Sequence, residues 1–342
     1  MEARERVKNS LEFKKVDRVP RNLWFLPGVM MFRQKDIDEV YAKFPDDFTS
    51  PSFSYGKADL TKGTPNVKGN YVDEWGSAWL VAEDGVVGEV KEPRLKDISE
   101  VNRLKAPYEM LNNADFTKVN ESCAGTKNFV LAGTMVRPFE RMQFLRGTEN
   151  LFIDLGYGVK GIYLLRDILH EFFLKEIEMW CKTDIDGISF MDDWGSQKSL
   201  LISPDMWREF FKPLYKDYCQ AIHKAGKYAF FHSDGNISLI YPDLIEIGVN
   251  AVNSQLFCMN IEELGEKYRG KITFWGEISR QHILPFGTVE EVKQAVKRVR
   301  KALDTGNGGV IAQCEFGLKD PIENILAVFE EWNAPRSEAS LY

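Results

Sequence analysis

Short apolar runs recur along the chain, and polar residues stand where each run stops. The pattern predicts strands at 128–134, 186–191, 228–232, 249–254, 271–275 and 309–313, with an earlier one at 22–26. Each run is almost continuously apolar instead of alternating, as expected of parallel strands buried on both faces. Helical patterns fill the intervals. Ser203 followed by Pro204 predicts an N-cap and first helical position ahead of Met206-Trp207, and Gly226 closes that segment. Thr288 with Glu291 reads as a capping box before the stripe Val292, Val296, Val299 and Leu303. Asp320-Pro321 predicts the start of a last helix with Ile322, Ile325, Leu326 and Phe329 facing inward. Strands alternating with helices imply right-handed parallel crossovers. With at least seven candidate strands, the expected fold is α/β, a (β/α)8 TIM barrel; the eighth strand has no clear run of its own.

Residues 1–120 are less regular. Val7, Leu11 and Phe13 lie on one side of a helical pattern that stops before Asp17 and Pro20, and residues 45–95 are rich in Gly, Pro, Asp and aromatics. These features predict an N-terminal extension carrying the first strand, then loops and short hairpins over one end of the fold. Residues 121–342 form the main strand–helix repeat. No internal repeat, low-complexity tract or linker divides the chain, so residues 1–342 are expected to be a single barrel domain, with loops over the C-terminal face of the barrel.

Composition narrows the function classes. The 342 residues carry a formal net charge of -7, with 44% hydrophobic and 28% charged residues, which fits a soluble globular protein and not a nucleic-acid footprint. No apolar run approaches the ~20 residues a membrane helix needs. The charged, amphipathic beginning does not resemble a secretory signal. Five scattered cysteines fit reduced thiols in the cytoplasm better than a disulfide framework.

The strand ends carry the candidate chemistry. In a (β/α)8 barrel, residues at the C-terminal ends of the strands meet on one face, where active sites are built. His232 and Asp234 are two apart on one strand end, so both side chains project to the same side. Cys314 ends the run 309–313 and Glu277 follows the run 271–275. His232 and Cys314 with one carboxylate, Asp234 or Glu277, would supply three ligands to a zinc ion that keeps a fourth position open. Each has a plainer reading: His232 as a core histidine, Cys314 as a small buried apolar residue. Asp192 and Asp193 are adjacent, so only one can face the barrel axis; a structural brace is the alternative for this pair. Gln197 and Gln255 suit hydrogen bonding to a polar ligand. Trp75, in Asp73-Glu74-Trp75-Gly76, belongs either to a lid or to a turn packed on the core.

Longer segments carry a resemblance. Asp192 to Gln197, Ile202 to Phe210, Lys212-Pro213, His232 to Ile237, Ile247 to Ala251 and Gln255 resemble the uroporphyrinogen decarboxylase superfamily. So do Arg4 to Val7, Phe13 to Pro20, Asp73 to Gly76 and Trp275 to Gln281. The resemblance implies a (β/α)8 barrel and one of two chemistries. Decarboxylases of this superfamily hold a polycarboxylate tetrapyrrole with an arginine-rich segment after the first strand. Leu23 to Met31 is uncharged here, which argues against decarboxylation. The corrinoid-dependent methyltransferases that act on a thiol, coenzyme M, bind zinc through a His-x-Cys pair and a later Cys. His232 and Cys314 match two of these, but Asp234 stands where the middle Cys is expected. A carboxylate in place of a thiolate makes the ion harder and more electrophilic.

That departure implies removal of a methyl group from an aromatic methyl ether and its transfer to the cobalt of a corrinoid-binding partner protein. A methylcobamide:thiol methyltransferase is the alternative, and a decarboxylase-like lyase a further one. On this reading His232, Asp234, Glu277 and Cys314 are metal ligands, and Asp192, Asp193 and Glu277 serve catalysis. Trp24, Trp75, Trp194 and Gln255 would receive the aryl substrate. No nucleic acid or membrane partner is expected, and a homodimer is compatible with the chain.

Overall fold

The computed structural model describes residues 1–335. Its strands are β1 (Arg21–Phe25), β2 (Phe48–Thr49), β3 (Gly69–Val72), β4 (Ala78–Val81), β5 (Glu89–Glu92), β6 (Phe129–Gly133), β7 (Gly187–Met191), β8 (Tyr228–Ser233), β9 (Ala251–Ser254), β10 (Thr273–Trp275) and β11 (Val310–Phe316). Eight of them form one sheet in the order β1-β11-β10-β9-β8-β7-β6-β2, every ladder parallel. Helices cover its outside, and the fold is a (β/α)8 barrel. The elusive eighth strand is β2, only two residues long, too short to leave a run in the sequence. β3, β4 and β5 make a separate antiparallel sheet within the stretch expected to hold hairpins.

The predicted caps form. Ser203 Oγ accepts from the Met206 N–H at 3.2 Å, and Thr288 with Glu291 makes the reciprocal capping box of Val289–Leu303. Asp320 does not cap the last helix, Ile322–Asn333; its carboxylate instead accepts from the Gly317 N–H at 2.6 Å.

No ladder joins β1 to β2 among the described residues, and two aspartates close that seam. Asp46 accepts from the backbone N–H groups of Leu23 and Phe48, both at 3.0 Å. Asp47 accepts from the Arg21 N–H at 2.7 Å and pairs with Arg6 and Arg18. Side-chain oxygens thus replace the carbonyls that a neighbouring strand would have offered.

Strand alternation sorts the core into two parts. Phe48, Phe129, Phe230, Ala251, Trp275 and Ile311 fill the barrel interior, with Trp24 and Leu131 packed above. Val7 and Leu11 of the helix Ala3–Leu11 join this cluster. Residues at the alternate strand positions (Leu23, Phe190, Phe231, Val252, Phe274, Cys314) point outward into the larger cluster under the helices.

Two acids away from the strand-end histidine, buried Glu176 and half-buried Asp46, make stability depend on pH. Burial pushes Glu176 up to about 7 from 4.5, against the opposing hydrogen bond from Tyr55, and raises Asp46 to about 7 from 3.8. A carboxyl group whose pKa is higher folded than unfolded favours folding below its unfolded value, and this contribution is lost as pH rises through the folded one. Between pH 5.5 and 8 the unfolding free energy is expected to fall by roughly 2–4 kcal/mol for the two together. Denaturant titrations across that window check it, with Glu176→Gln removing about 1–2 kcal/mol of the fall; stability that rises through the window contradicts it.

Candidate metal and substrate site

The site begins where β7 and β8 end. Inward positions on β8 are Phe230 and His232, and the same parity brings Asp234 round to His232. On β7 the inward positions are Ser189 and Met191, which line the central cavity. Phe190 faces the helices, so Asp192 turns outward with it and Asp193 turns in.

The two strand ends are zipped together by the Asp192 N–H to the His232 carbonyl (3.0 Å), the Gly195 N–H to the Asp234 carbonyl (3.0 Å) and the Trp194 N–H to Ser233 Oγ (3.0 Å). Gly195 and Gly235 meet backbone to backbone at this crossing. A Cβ on Gly235, at φ +75°, would lie 2.1 Å from the Gly195 carbonyl oxygen.

His232 has a defined tautomer. The Asn253 amide N–H donates to the Trp275 carbonyl at 2.5 Å, which turns Asn253 Oδ1 toward His232 Nδ1, 2.7 Å away. An amide oxygen only accepts, so Nδ1 carries the hydrogen, and in the neutral ring Nε2 presents a lone pair. Facing that lone pair are Asp193 Oδ1 at 3.6 Å and Asp234 Oδ1 at 3.5 Å. Three acceptors pointing at one spot repel unless a cation or a proton sits between them. Asp234 Oδ1 is buried and has no hydrogen-bond partner among the described residues. The ligand atoms of Asp193, His232 and Asp234 all lie within 4.8 Å of one another, a possible metal-binding triad whose one nitrogen and two carboxylate oxygens suit a hard or borderline divalent cation.

Asn253 is expected to matter through the histidine it orients. Asn253→Leu should weaken metal affinity about 10–100-fold without removing a ligand, measured by competition with a chromogenic chelator; unchanged affinity would show that the amide does not hold the imidazole.

Charged groups ring the triad. Arg280 is ion-paired to Asp234 and Glu315, with Glu277 Oε1 3.7 Å from its Nε. Burial disfavours the guanidinium charge, but the surrounding carboxylates outweigh it and hold its pKa above the ordinary value. Burial pushes Glu277 well above the usual carboxylate range; Arg280 opposes this, and the charges of Glu315, Asp234 and Asp193 add to it. Glu140, near the start of the helix Pro138–Arg146, is raised to about 7 by burial and then by Asp193. Its Oε2 is buried, has no hydrogen bond among the described residues and lies 3.9 Å from Arg137 Nη1.

A cavity of about 600 Å³ follows the unladdered seam and reaches Trp24, whose ring neighbours that of His232. Trp24, Phe48, Leu131, Met191 and Trp275 give it apolar walls, and Tyr41, Thr49, Ser50 and Ser189 add neutral hydroxyls. The Trp24 ring centre is 5.4 Å from that of His232. Both Trp24 Nε1 and Trp275 Nε1 donate to Asn22 Oδ1 at 2.9 Å, which fixes the two indoles edge to face, 4.8 Å apart.

Several sequence expectations need correction. Cys314 is fully buried but faces the helices, because Glu315 one residue on takes the inward parity and reaches Arg280. The thiol is not part of the triad; Asp193 is. Asp192 is the brace of the pair: its carboxylate accepts from the N–H groups of Phe139 and Glu140 at 2.7 Å each and from Tyr215 Oη at 2.5 Å. It satisfies the otherwise unpaired first-turn donors of a helix whose own N-cap, Arg137, contributes no side-chain bond.

Glu277 stands at Arg280, outside the triad. Trp75 packs on Phe172 as part of a turn braced by Asp73. Trp194 stacks on Phe139 with ring centres 4.0 Å apart and donates to Tyr215 Oη. Neither tryptophan lines the cavity. Gln255 accepts from the Gly235 N–H at 3.0 Å, steadying the loop that carries Asp234. Of the aromatic residues expected to receive a substrate, Trp24 is on the cavity wall.

Asn253, Glu140, Arg280 and Glu315 were not singled out in the sequence. The amide in Ala251-Val252-Asn253 shares the inward parity of Ala251 and was readable on that ground. Glu140 left no such signal, since its placement depends on Asp192 capping its helix from another strand end.

A parallel barrel with a histidine–dicarboxylate cluster at its C-terminal strand ends defines a class of protein, and the comparisons narrow it. The uroporphyrinogen decarboxylase (URO-D) family model matches residues 78–334, and the chain belongs to that family. Among solved structures, a methyltransferase from Methanosarcina mazei aligns over 97% of this chain and 98% of its own, with TM-score 0.70 and 16% identity. That similarity is one of fold. An endo-beta-1,4-xylanase from Gloeophyllum trabeum aligns over 95% of this chain and 99% of its own, at 9% identity and TM-score 0.47, too low to carry an argument. No curated protein matches the sequence. No helix among the described residues is long and apolar enough to cross a membrane.

Proposed function

We propose that this protein is a zinc- and corrinoid-dependent methyltransferase that takes the methyl group of an aromatic methyl ether and passes it to a reduced corrinoid on a partner protein. The observation that carries the reading is the His232 Nε2 lone pair opposed by two carboxylate oxygens beside a cavity walled by Trp24 and Trp275. The similarity in fold to a methyltransferase and the family membership support it.

Asp193, His232 and Asp234 would hold the ion. When bound, it supplies a Lewis acid that draws electron density from the ether oxygen and eases departure of the phenolate. Methyl transfer would break the carbon–oxygen bond and leave the bonding pair on oxygen, which would then accept a proton; the reduced corrinoid of the partner would serve as the methyl acceptor. With no thiolate in the triad, the donor set suits polarising an oxygen better than holding a nucleophilic thiol.

The chain's own groups complete the chemistry. Trp24 and Trp275, held by Asn22, orient the ring. Asn253 keeps the His232 lone pair facing the ion. Burial raises both Glu140 and Glu277 above the ordinary carboxylate range, and Glu140 would give a proton to the departing oxygen. The five free cysteines accord with a reducing cytoplasm as the place of action.

The test is direct. Zinc-loaded protein, a reduced corrinoid carrier protein and 2-methoxyphenol are expected to yield catechol. Absence of any phenol product across a panel of aryl methyl ethers, with metal content verified, would reject the reading.

A further inference from the structure

We infer that the donor ring accepted by this cavity is uncharged, and that aryl carboxylates and sulfonates are excluded. The inference rests on the aryl-ether reading and deepens it.

None of the described residues lining the cavity is Lys, Arg or His. Its polar groups are neutral, apart from Asp46. That carboxylate is taken up by the Leu23 and Phe48 N–H groups, and its charge has the wrong sign for an anion. Tyr41 is a hydroxyl donor at all working pH values, because burial and then the Asp46 charge push it up to about 12.

The nearby cations are committed. Arg280 is shared by Asp234 and Glu315, and Arg137 is not among the residues lining the cavity. The two triad aspartates already balance a divalent ion. An anionic ring would therefore leave water with no compensating partner, and an unpaired buried charge is strongly disfavoured. A phenol or neutral ether instead meets apolar walls and hydroxyls that match its oxygens.

A size-matched pair tests this. Methyl 3-methoxybenzoate and 3-methoxybenzoate differ by one methyl group and one charge. Titrations following tryptophan fluorescence, on zinc-loaded and metal-free protein, are expected to show the carboxylate binding at least about 100-fold more weakly than the ester. In Ser50→Arg, a substitution at the exposed rim, the preference is expected to move toward the carboxylate by about tenfold. Carboxylate binding within about threefold of the ester, in either metal state, overturns the inference, as does a Ser50→Arg protein that folds without shifting the preference. If the ester, 2-methoxyphenol and methoxybenzene all fail to bind, the aryl-ether reading itself falls and takes the inference with it.

Discussion

His232→Ala is expected to leave a folded protein that retains no stoichiometric zinc and has lost demethylation by ~10³-fold or more. That factor corresponds to about 4 kcal/mol of transition-state stabilisation, within the several kcal/mol that a Lewis-acidic ion supplies. The imidazole nitrogen is the central donor, since Asp193 and Asp234 both face it and their charges repel each other once the ion is gone. Asp193→Asn and Asp234→Asn should each weaken metal binding strongly, because an amide oxygen replaces an anionic donor. Cys314→Ala is the informative contrast. Its thiol lies in the layer under the helices, so zinc content should hold while stability drops by about 1 kcal/mol for the small void. Metal analysis of the four variants after gel filtration decides the matter. Zinc lost from Cys314→Ala but kept in Asp193→Asn would invert the assignment and sink the triad.

The second large effect comes from a glycine. Gly235→Ala is expected to destabilise the protein by about 3 kcal/mol or more, combining overpacking with a left-handed backbone that alanine adopts only at a cost. The added methyl would sit 2.1 Å from the Gly195 carbonyl oxygen and 2.6 Å from its Cα. Both are backbone atoms, so no side chain can swing aside. Relief requires the Asp193 and Asp234 loops to separate, which also breaks the Asp234 N–H to Asp193 Oδ1 bond of 2.9 Å. Stability and zinc affinity should therefore fall together. Denaturant unfolding with and without zinc measures both; a variant that unfolds like the parent and binds zinc normally would show that the two loops are not locked at this point.

The parts of the fold read correctly from the sequence share a cause. Strands such as 228–232 and 309–313 are buried on both faces, so their apolar runs are long and their ends abrupt; β8 and β11 begin within a residue of the expectation. Local caps such as Ser203 and the Thr288–Glu291 box form between residues three apart and need nothing distant. β2 escaped because two residues carry no period. The seam it forms with β1 is closed by Asp46 and Asp47, whose role depends on where Leu23 and Arg21 lie in space.

The site shows the same division. His232 and Asp234 were legible as a pair because same-side projection at i and i+2 is a property of any extended chain. Asp192 and Asp193 were legible as a choice between inward and outward, but the choice itself was not. It followed from Met191 lining the cavity and from a helix start needing acceptors at Phe139 and Glu140. Cys314 was legible as a strand-end residue, but parity along β11 gave the inward place to Glu315. Trp75 and Trp194 were drawn into the core by Phe172 and Phe139, contacts between segments far apart in the chain.

The amino-acid sequence by itself determined the barrel, its family and the identity of the strand ends that meet, because burial writes its periodicity into neighbouring residues. Tertiary structure alone decided which of two adjacent polar side chains entered the site, and which aromatic residues faced a cavity instead of a helix. Those outcomes turn on a rotation of one residue along a strand, set by packing partners far away along the chain.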